Sequence, residues 1–186
     1  MNRVRVNLDE ARSEERHERR EREMETILKC GHGTGSGPLP VNMHEEHVFH
    51  PIVLASVVLD KKRLIDPTVK IDFSSLISFS TSCEEFLLNI VFRLSKICHE
   101  EERIPLGTWT FKESQFEEHD KSMKVKSDKT IQETESFCFT FCEEDEDRDD
   151  HCRFIVEIID VQADDIDFAI VSNVFLTALA NGFKRR

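Results

Sequence analysis

The sequence predicts an all-β protein, an antiparallel β-sandwich or jelly roll of about eight strands with a flexible, charged N-terminal extension. Three observations predict this fold class. Apolar and polar residues alternate with the two-residue period of a strand through most of residues 41–186, and no long helical period intervenes. Polar connections separate these runs, as in sandwiches and barrels. The chain has 14 phenylalanines and no tyrosine, which favours a dry core.

The strand pattern is clearest at residues 135–143, where the three phenylalanines fall on one side and Cys138, Thr140 and Cys142 fall on the other. Residues 84–98 are apolar enough for a helix or a strand, and their β-branched and aromatic side chains favour a strand. The polar residues 112–135 are expected to form a long loop or an added hairpin. The other predicted strands lie at residues 50–60, 67–80, 105–114, 152–161 and 167–180.

Residues 1–26 are expected to form a charged extension, helical or disordered, outside the domain. Acidic residues and arginines fill residues 9–25 with almost no apolar side chain. Each i,i+4 ion pair adds only about 0.2–0.5 kcal/mol to a helix. Without an apolar stripe such a helix has no face to pack against a core. The alternative is that this charged segment forms a helix that binds a partner.

Residues 27–40 are interpreted as an arm and a hinge. The stretch KCGHGTGSGPLP holds four of the six glycines and two of the five prolines. Its glycine spacing differs from that of phosphate-binding loops, and prolines stand where such a loop needs a helix N-terminus. Alternating glycines with threonine and serine are typical of a flexible linker. The predicted hinge residues are Gly31, Gly33, Gly35 and Gly37.

No pattern of catalytic or metal-binding residues stands out, so we expect no enzyme activity and no cofactor. His44, His47 and His50 recur at a spacing of three, but the paired ligands of a structural zinc site are missing, and solvated histidines are the simpler interpretation. The acidic residues of 142–152 lack the order of a calcium-binding loop. The chain contains neither G-x-S-x-G nor H-E-x-x-H.

Charge and hydropathy limit the partners. A net charge of −12 argues against nucleic acid and against anionic membranes. No apolar run reaches about 18 residues, so no membrane span is expected. The N-terminus has no apolar core of a secretory signal, so we expect synthesis in a cytoplasm.

The six cysteines leave several pairings open. Cys142 and Cys152 border the acidic loop at the ends of adjacent predicted strands, where a disulfide can form, so they are the candidate pair. Cys138 and Cys142 cannot bridge each other, because four residues of a strand span about 13 Å. Cys83 and Cys98 are expected to be buried thiols.

Six sequence blocks, in order, resemble the small proteins of spore-forming clostridia known as the domain of unknown function 4489 family. The resemblance covers about residues 27–180. The blocks are ILKCGHGTGSGPLPV, LASVVLD, PTVKIDFSSLISF, PLGTWTF, SFCFTFC and FAIVSNVFLTALA.

The layout of a short cysteine-bearing arm, a spacer and a jelly-roll body is also similar to that of endospore appendage (Ena-type) subunits. This similarity implies a self-assembling homopolymer on a spore surface or in an extracellular fibre. It implies that Ile27 and Leu28 add to a neighbour's sheet edge and that Cys30 locks the contact by a disulfide. Two alternatives stay open: an enzyme, and a module that binds a small ligand, a sugar or calcium, with Trp109 as its strongest stacking residue.

Overall fold

The computed structural model describes residues 23–41, 49–98, 102–115, 126–144 and 150–185, with side chains omitted at 126–129. Within these ranges the chain forms nine strands and no helix, so none of the described residues belongs to a helix able to span a membrane. The strands are β1 (Met24–Cys30), β2 (His32–Gly33), β3 (Ile52–Asp60), β4 (Leu64–Cys83), β5 (Phe86–Cys98), β6 (Ile104–Gln115), β7 (Lys126–Glu144), β8 (His151–Asp164) and β9 (Phe168–Lys184).

The strands form two antiparallel sheets, so the predicted β-sandwich is confirmed. The four-stranded sheet has the order β1-β9-β4-β7, and the five-stranded sheet has the order β2-β3-β8-β5-β6. Strands β1 and β2 therefore stand at one side of the sandwich, and β7 and β6 stand at the other. Both sheets contain strands distant in sequence, such as β4 beside β9, which makes most of the pairing non-local.

Alternation in the sequence decides which side chains enter the core. Along β4, Val69, Ile71 and Phe73 are buried, while the residues between them face outward. The phenylalanines of β7 also turn inward, and Phe139 lies 5.0 Å from Phe73 between ring centroids. The predicted faces of both segments are confirmed. Each buried aromatic side chain contributes on the order of 2–3 kcal/mol to stability.

The expected loop at residues 112–135 is only partly correct. Strand β6 continues to Gln115, and β7 already begins at Lys126. Apart from Ile131, residues 126–135 are polar, but residues 131–135 and Lys126 pair with β4, which supplies the backbone partners that a strand requires. Pairing with the long strand β4 thus outweighs the weak strand pattern of these polar residues.

The candidate disulfide between Cys142 and Cys152 is wrong in this structure. Cys152 is bonded to Cys98, with their Cα atoms 4.3 Å apart, and Cys142 is exposed. The reason is strand register: Cys98 and Cys152 lie directly opposite each other on β5 and β8, whereas Cys142 lies on β7 in the other sheet. The expectation that Cys98 is a buried thiol is wrong as well, although its buried position is confirmed.

Candidate functional site

The outer face of the four-stranded sheet is the candidate functional site. It carries the outward-facing residues of all four strands, which register aligns into rows across the sheet. One row runs from Cys30 on β1 through Thr177 and Asp72 to Thr140 on β7. Side chains in such a row lie about 5 Å from their neighbours, so each row forms a continuous strip of contacts.

The half of this face on β1 and β9 carries exposed apolar side chains. Met24, Leu28 and Phe175 keep 54%, 60% and 67% of their surface open to solvent. Leu28 lies opposite Leu179 and Met24 lies opposite Phe183, with the polar pair of Thr26 and Asn181 between them. We call Met24, Leu28, Phe175, Leu179 and Phe183 the apolar patch, and exposed apolar side chains grouped on one face favour an interaction site.

The other half of the face, on β4 and β7, is polar. Thr140 donates a hydrogen bond of 2.6 Å to Asp72 Oδ1, and Lys70 Nζ lies 2.8 Å from Asp72 Oδ2. Partial burial acts to raise the pKa of Asp72, but the bonds from Lys70 and Thr140 outweigh it and lower that pKa. The hydrogen bond to Asp72 raises the pKa of Lys70; desolvation opposes it, and the charges of Asp72 and Cys142 add to the rise.

Exposed thiols stand at both edges of this face. Cys30 ends β1, Cys138 and Cys142 lie on β7, and all three are exposed and carry no disulfide. All three also face outward, since Cys138 and Cys142 alternate with the inward phenylalanines of β7. The sequence placed Cys138 and Cys142 on one face, but only the sheet order puts Cys30 on the same face at the opposite edge.

The predicted arm residues Ile27, Leu28 and Cys30 pair with this chain's own β9. Ile27 packs against the core, and Leu28 and Cys30 face solvent. The strand begins at Met24, three residues earlier than the predicted boundary between extension and arm. The arm is therefore an edge strand of the domain in this structure and does not extend away from it.

The glycine stretch is not a hinge in this structure. It crosses from β1 in one sheet to β2 in the other, and it is bonded along its length: Thr34 N–H donates to the Leu54 carbonyl and Ser36 N–H donates to the Val171 carbonyl. The predicted hinge residues Gly31, Gly33, Gly35 and Gly37 all lie against neighbouring strands with no room for a side chain.

Gly35 shows why glycine is needed there. Its φ is 67°, and a Cβ atom would lie 2.5 Å from the Val171 carbonyl oxygen. A left-handed backbone and a close approach both favour glycine. Alternating glycines are typical of a flexible linker. Here they instead let the backbone pack directly against β9 and β3.

Trp109 does not form an open stacking platform. Its ring stacks on Phe139 with centroids 3.9 Å apart and 5° between planes, and it closes the sandwich between β6 and β7. The alternative of a ligand-binding module thereby loses its strongest residue. In the described part of the chain, no group of three or more histidine, cysteine or acidic residues is placed to hold a metal. His44, His47 and residues 145–149 of the acidic loop lie outside the described residues.

A buried ion cluster lies on the five-stranded sheet. Glu157 is 1% exposed on the face of β8 opposite the core. Arg93 Nε donates to Glu157 Oε1 at 2.9 Å, and Arg103 Nη1 donates to Oε2 at 2.5 Å. Because both carboxylate oxygens accept hydrogen bonds from arginines, the buried charge of Glu157 is paired and the cluster stabilises the sheet.

Comparison with known families places the chain. The family model described as "Domain of unknown function (DUF4489)" matches residues 24–181, which is most of the chain. The chain belongs to the DUF4489 family. The match begins at the first residue of β1 and ends within β9, so it includes the edge strand and both sheets of this DUF4489 domain.

Other comparisons add little to the family assignment. No curated protein matches this DUF4489 protein. One solved structure that it is similar to is titled "Structure of infectious bursal disease virus Gx strain", with 7% identity and a TM-score of 0.20. The match covers 88% of this chain and 40% of the viral chain, so the protein spans less than half the length of that chain.

Proposed function

We propose that this protein is a self-assembling structural subunit that forms a homopolymer, a fibre on a spore surface or outside the cell. The observation that carries the proposal is the four-stranded sheet, whose edge strands β1 and β7 pair on one side only among the described residues. Unpaired edges are templates for adding strands from other chains. A spore surface as the location rests on the sequence-level similarity of the cysteine-bearing N-terminal segment to that of endospore appendage subunits, although in this structure the segment is an edge strand of its own domain.

The apolar patch supports the same proposal. It borders β1, so apolar surface and unpaired backbone groups lie side by side at one edge of the sheet. A second copy that pairs with this edge would gain hydrogen bonds from the backbone and apolar burial from the patch. Burial contributes about 25 cal/mol for each Å² removed from water.

The described residues favour a structural role over a binding module. Trp109 is packed on Phe139, and both oxygens of the buried Glu157 are bonded to arginines. Among the described residues, the apolar patch and the three outward thiols are exposed on one face of the four-stranded sheet. These features suit contact with a protein surface better than contact with a small ligand.

The test is whether the purified protein forms fibres through β1. Electron microscopy and sedimentation of the full chain should show polymers, and a stable monomer under all conditions would contradict the proposed function. Leu28→Pro removes an amide that points away from β9, so it should leave the monomer folded and stop assembly.

Leu28→Ala is the matched control, because it removes the same apolar side chain but keeps the amide. It should still assemble, more weakly than the wild type. Thermal unfolding of both variants shows whether the monomer is intact. Fibres of wild-type length from the folded Leu28→Pro protein would exclude pairing through β1.

A further inference from the structure

We propose that successive copies of this chain join by pairing β1 of one copy with β7 of the next, and that a disulfide between Cys30 and the next copy's Cys138 locks the joint. This inference rests on the proposed function and specifies its contact. Four properties of the four-stranded sheet carry it: strand number, backbone direction, register and the positions of the thiols.

Strand number decides which sheet can continue. In an antiparallel sheet neighbours alternate in direction, so the edges of a four-stranded sheet run in opposite directions. A second copy laid beside the first in the same orientation therefore places its β1 antiparallel to β7. The edges of the five-stranded sheet run in the same direction, so the same placement would bring β6 and β2 together in parallel.

Such a contact joins two different surfaces, the β1 edge of one copy and the β7 edge of the next, so each copy keeps one edge unpaired. Every added copy presents a new β7 edge, so the contact repeats without closing and makes a filament. Sheet twist of about 20–25° for each pair of strands would give the filament a helical course.

The backbone groups of β1 point in the required direction. Gly31 N–H donates to the Leu176 carbonyl at 2.7 Å, and Lys184 N–H donates to the Glu23 carbonyl at 2.8 Å. The odd-numbered residues along β1 therefore bond to β9. Antiparallel pairing alternates from one residue to the next, so the N–H and C=O groups of Leu28 and Cys30 point to the edge.

The same alternation, followed across the sheet, orients β7. Leu176 bonds toward β1, so Thr177 bonds toward its partner Asp72 on β4. Ser74 then also bonds toward β9, and its partner on β7, Cys138, directs its N–H and C=O to the opposite edge. Cys30 and Cys138 thus have both their backbone groups and their side chains placed for the same contact.

Register selects Cys138 over Cys142. With Cys30 opposite Cys138, Met24 lies opposite Glu144, so the whole of β1 pairs within β7, which ends at that residue. With Cys30 opposite Cys142, only residues 28–30 would find partners before β7 ends. The Cys138 register thus forms more than twice as many residue pairs.

Side chains on the inner face are compatible with this register. It places Ile27 opposite Phe141, and both are partly buried and pack against the core. It also places Glu25 opposite Glu143, but Glu143 already accepts a bond from Lys96 at 3.1 Å, which offsets the repulsion between the two carboxylates.

Directly opposite cysteines on adjacent antiparallel strands are already bonded once in this chain, at Cys98 and Cys152. Their Cα separation of 4.3 Å is that of a non-hydrogen-bonded pair, so the joint proposed here has a different geometry. A hydrogen-bonded antiparallel pair, as Cys30 and Cys138 would be, has Cα atoms about 5.5 Å apart. That separation is within the range of about 4.4–6.8 Å found in disulfides.

The bond needs an oxidant, which we take to be a small-molecule disulfide. The Cys30 thiolate attacks one of its sulfurs and releases a small thiolate, and the mixed disulfide forms at Cys30. The Cys138 thiolate of the next copy then attacks the Cys30 sulfur and releases the second small thiolate. The two cysteine protons pass through solvent to the released thiolates, so two cysteines are oxidised and one small-molecule disulfide is reduced.

The experiment uses the full chain with Cys30→Ser, Cys138→Ser and the matched control Cys142→Ser, each assembled with oxidised glutathione. In hot detergent without reductant, the wild type and Cys142→Ser should give a ladder of linked chains. Cys30→Ser and Cys138→Ser should each run as monomers. An equal mixture of these two variants should give dimers and nothing larger, because each dimer has one intact cysteine pair.

Peptide mass spectrometry should find Cys30 linked to Cys138 in the wild-type ladder. A ladder that persists in either single variant, or a bridge from Cys30 to Cys142, would overturn the inference. Electron microscopy of the same samples separates this failure from failure of the proposed function. Fibres without the Cys30–Cys138 bond contradict only the inference, whereas a complete absence of fibres contradicts both.

Discussion

Loss of the Cys98–Cys152 disulfide should destabilise the domain by about 4 kcal/mol. The bond joins residues 54 apart in sequence. In the chain-entropy relation, closing a loop of about 55 residues removes about 14 cal/mol/K from the unfolded chain, or about 4 kcal/mol at 25 °C. Both sulfurs are buried between β5 and β8, so reduction leaves the packing nearly unchanged, and the effect comes mainly from the unfolded state.

The assay is urea unfolding of the oxidised protein, the reduced protein and the Cys98→Ala, Cys152→Ala double variant. With an m-value of about 2 kcal/mol/M, reduction should lower the midpoint by about 2 M. The double variant should unfold at a lower urea concentration than the oxidised protein and should not respond to reductant. Cys142→Ala is the matched control and should unfold like the wild type. A loss below about 1 kcal/mol on reduction would refute the reasoning.

Three further predictions concern packing and charge. Gly35→Ala should destabilise by about 1–3 kcal/mol through strain and overpacking against β9, measured by thermal unfolding, and a neutral result would contradict the bonded position of the glycine stretch. Glu157→Gln should cost roughly 2–3 kcal/mol in urea unfolding, less than a fully buried pair because its arginines reach solvent, and a stabilised variant would exclude the ion pair as a structural element. Because the folded-state pKa of Asp72 is lowered, its contribution is present above the unfolded pKa and is lost as the pH falls through the folded value. Asp72→Asn should therefore be less stable than the wild type at pH 7 by a fraction of a kcal/mol, and this difference in stability should shrink as the pH falls below about 4; a difference that stays constant as the solution is acidified would contradict the assignment.

The strands were largely predictable because each needs only a local pattern. The alternation at residues 67–80 and 135–143 placed the right side chains in the core, and β3, β5, β6, β8 and β9 lie within a few residues of their predicted bounds. The first part of β7 was missed because its residues are polar. It forms a strand because it pairs with β4, and pairing between segments far apart in the chain cannot be recognised from a short stretch of sequence.

The candidate site was predictable in its residues but not in its arrangement. Cys30 was selected, and Cys138 and Cys142 were placed on one face. Met24 and Phe175 were missed as exposed residues. Strand β9 is apolar on both faces over much of its length, which is the signal that could have indicated an apolar outer surface.

By itself the sequence determined the fold class, most of the strands and the side of β4 and of the second half of β7 that faces the core. These depend on side-chain alternation, which is a local property. Tertiary structure alone decided that Cys98 and not Cys142 pairs with Cys152, that the glycine stretch is bonded across two sheets, and that thiols stand at both edges of one face. These depend on strand order and register, which arise from packing between residues far apart in the chain.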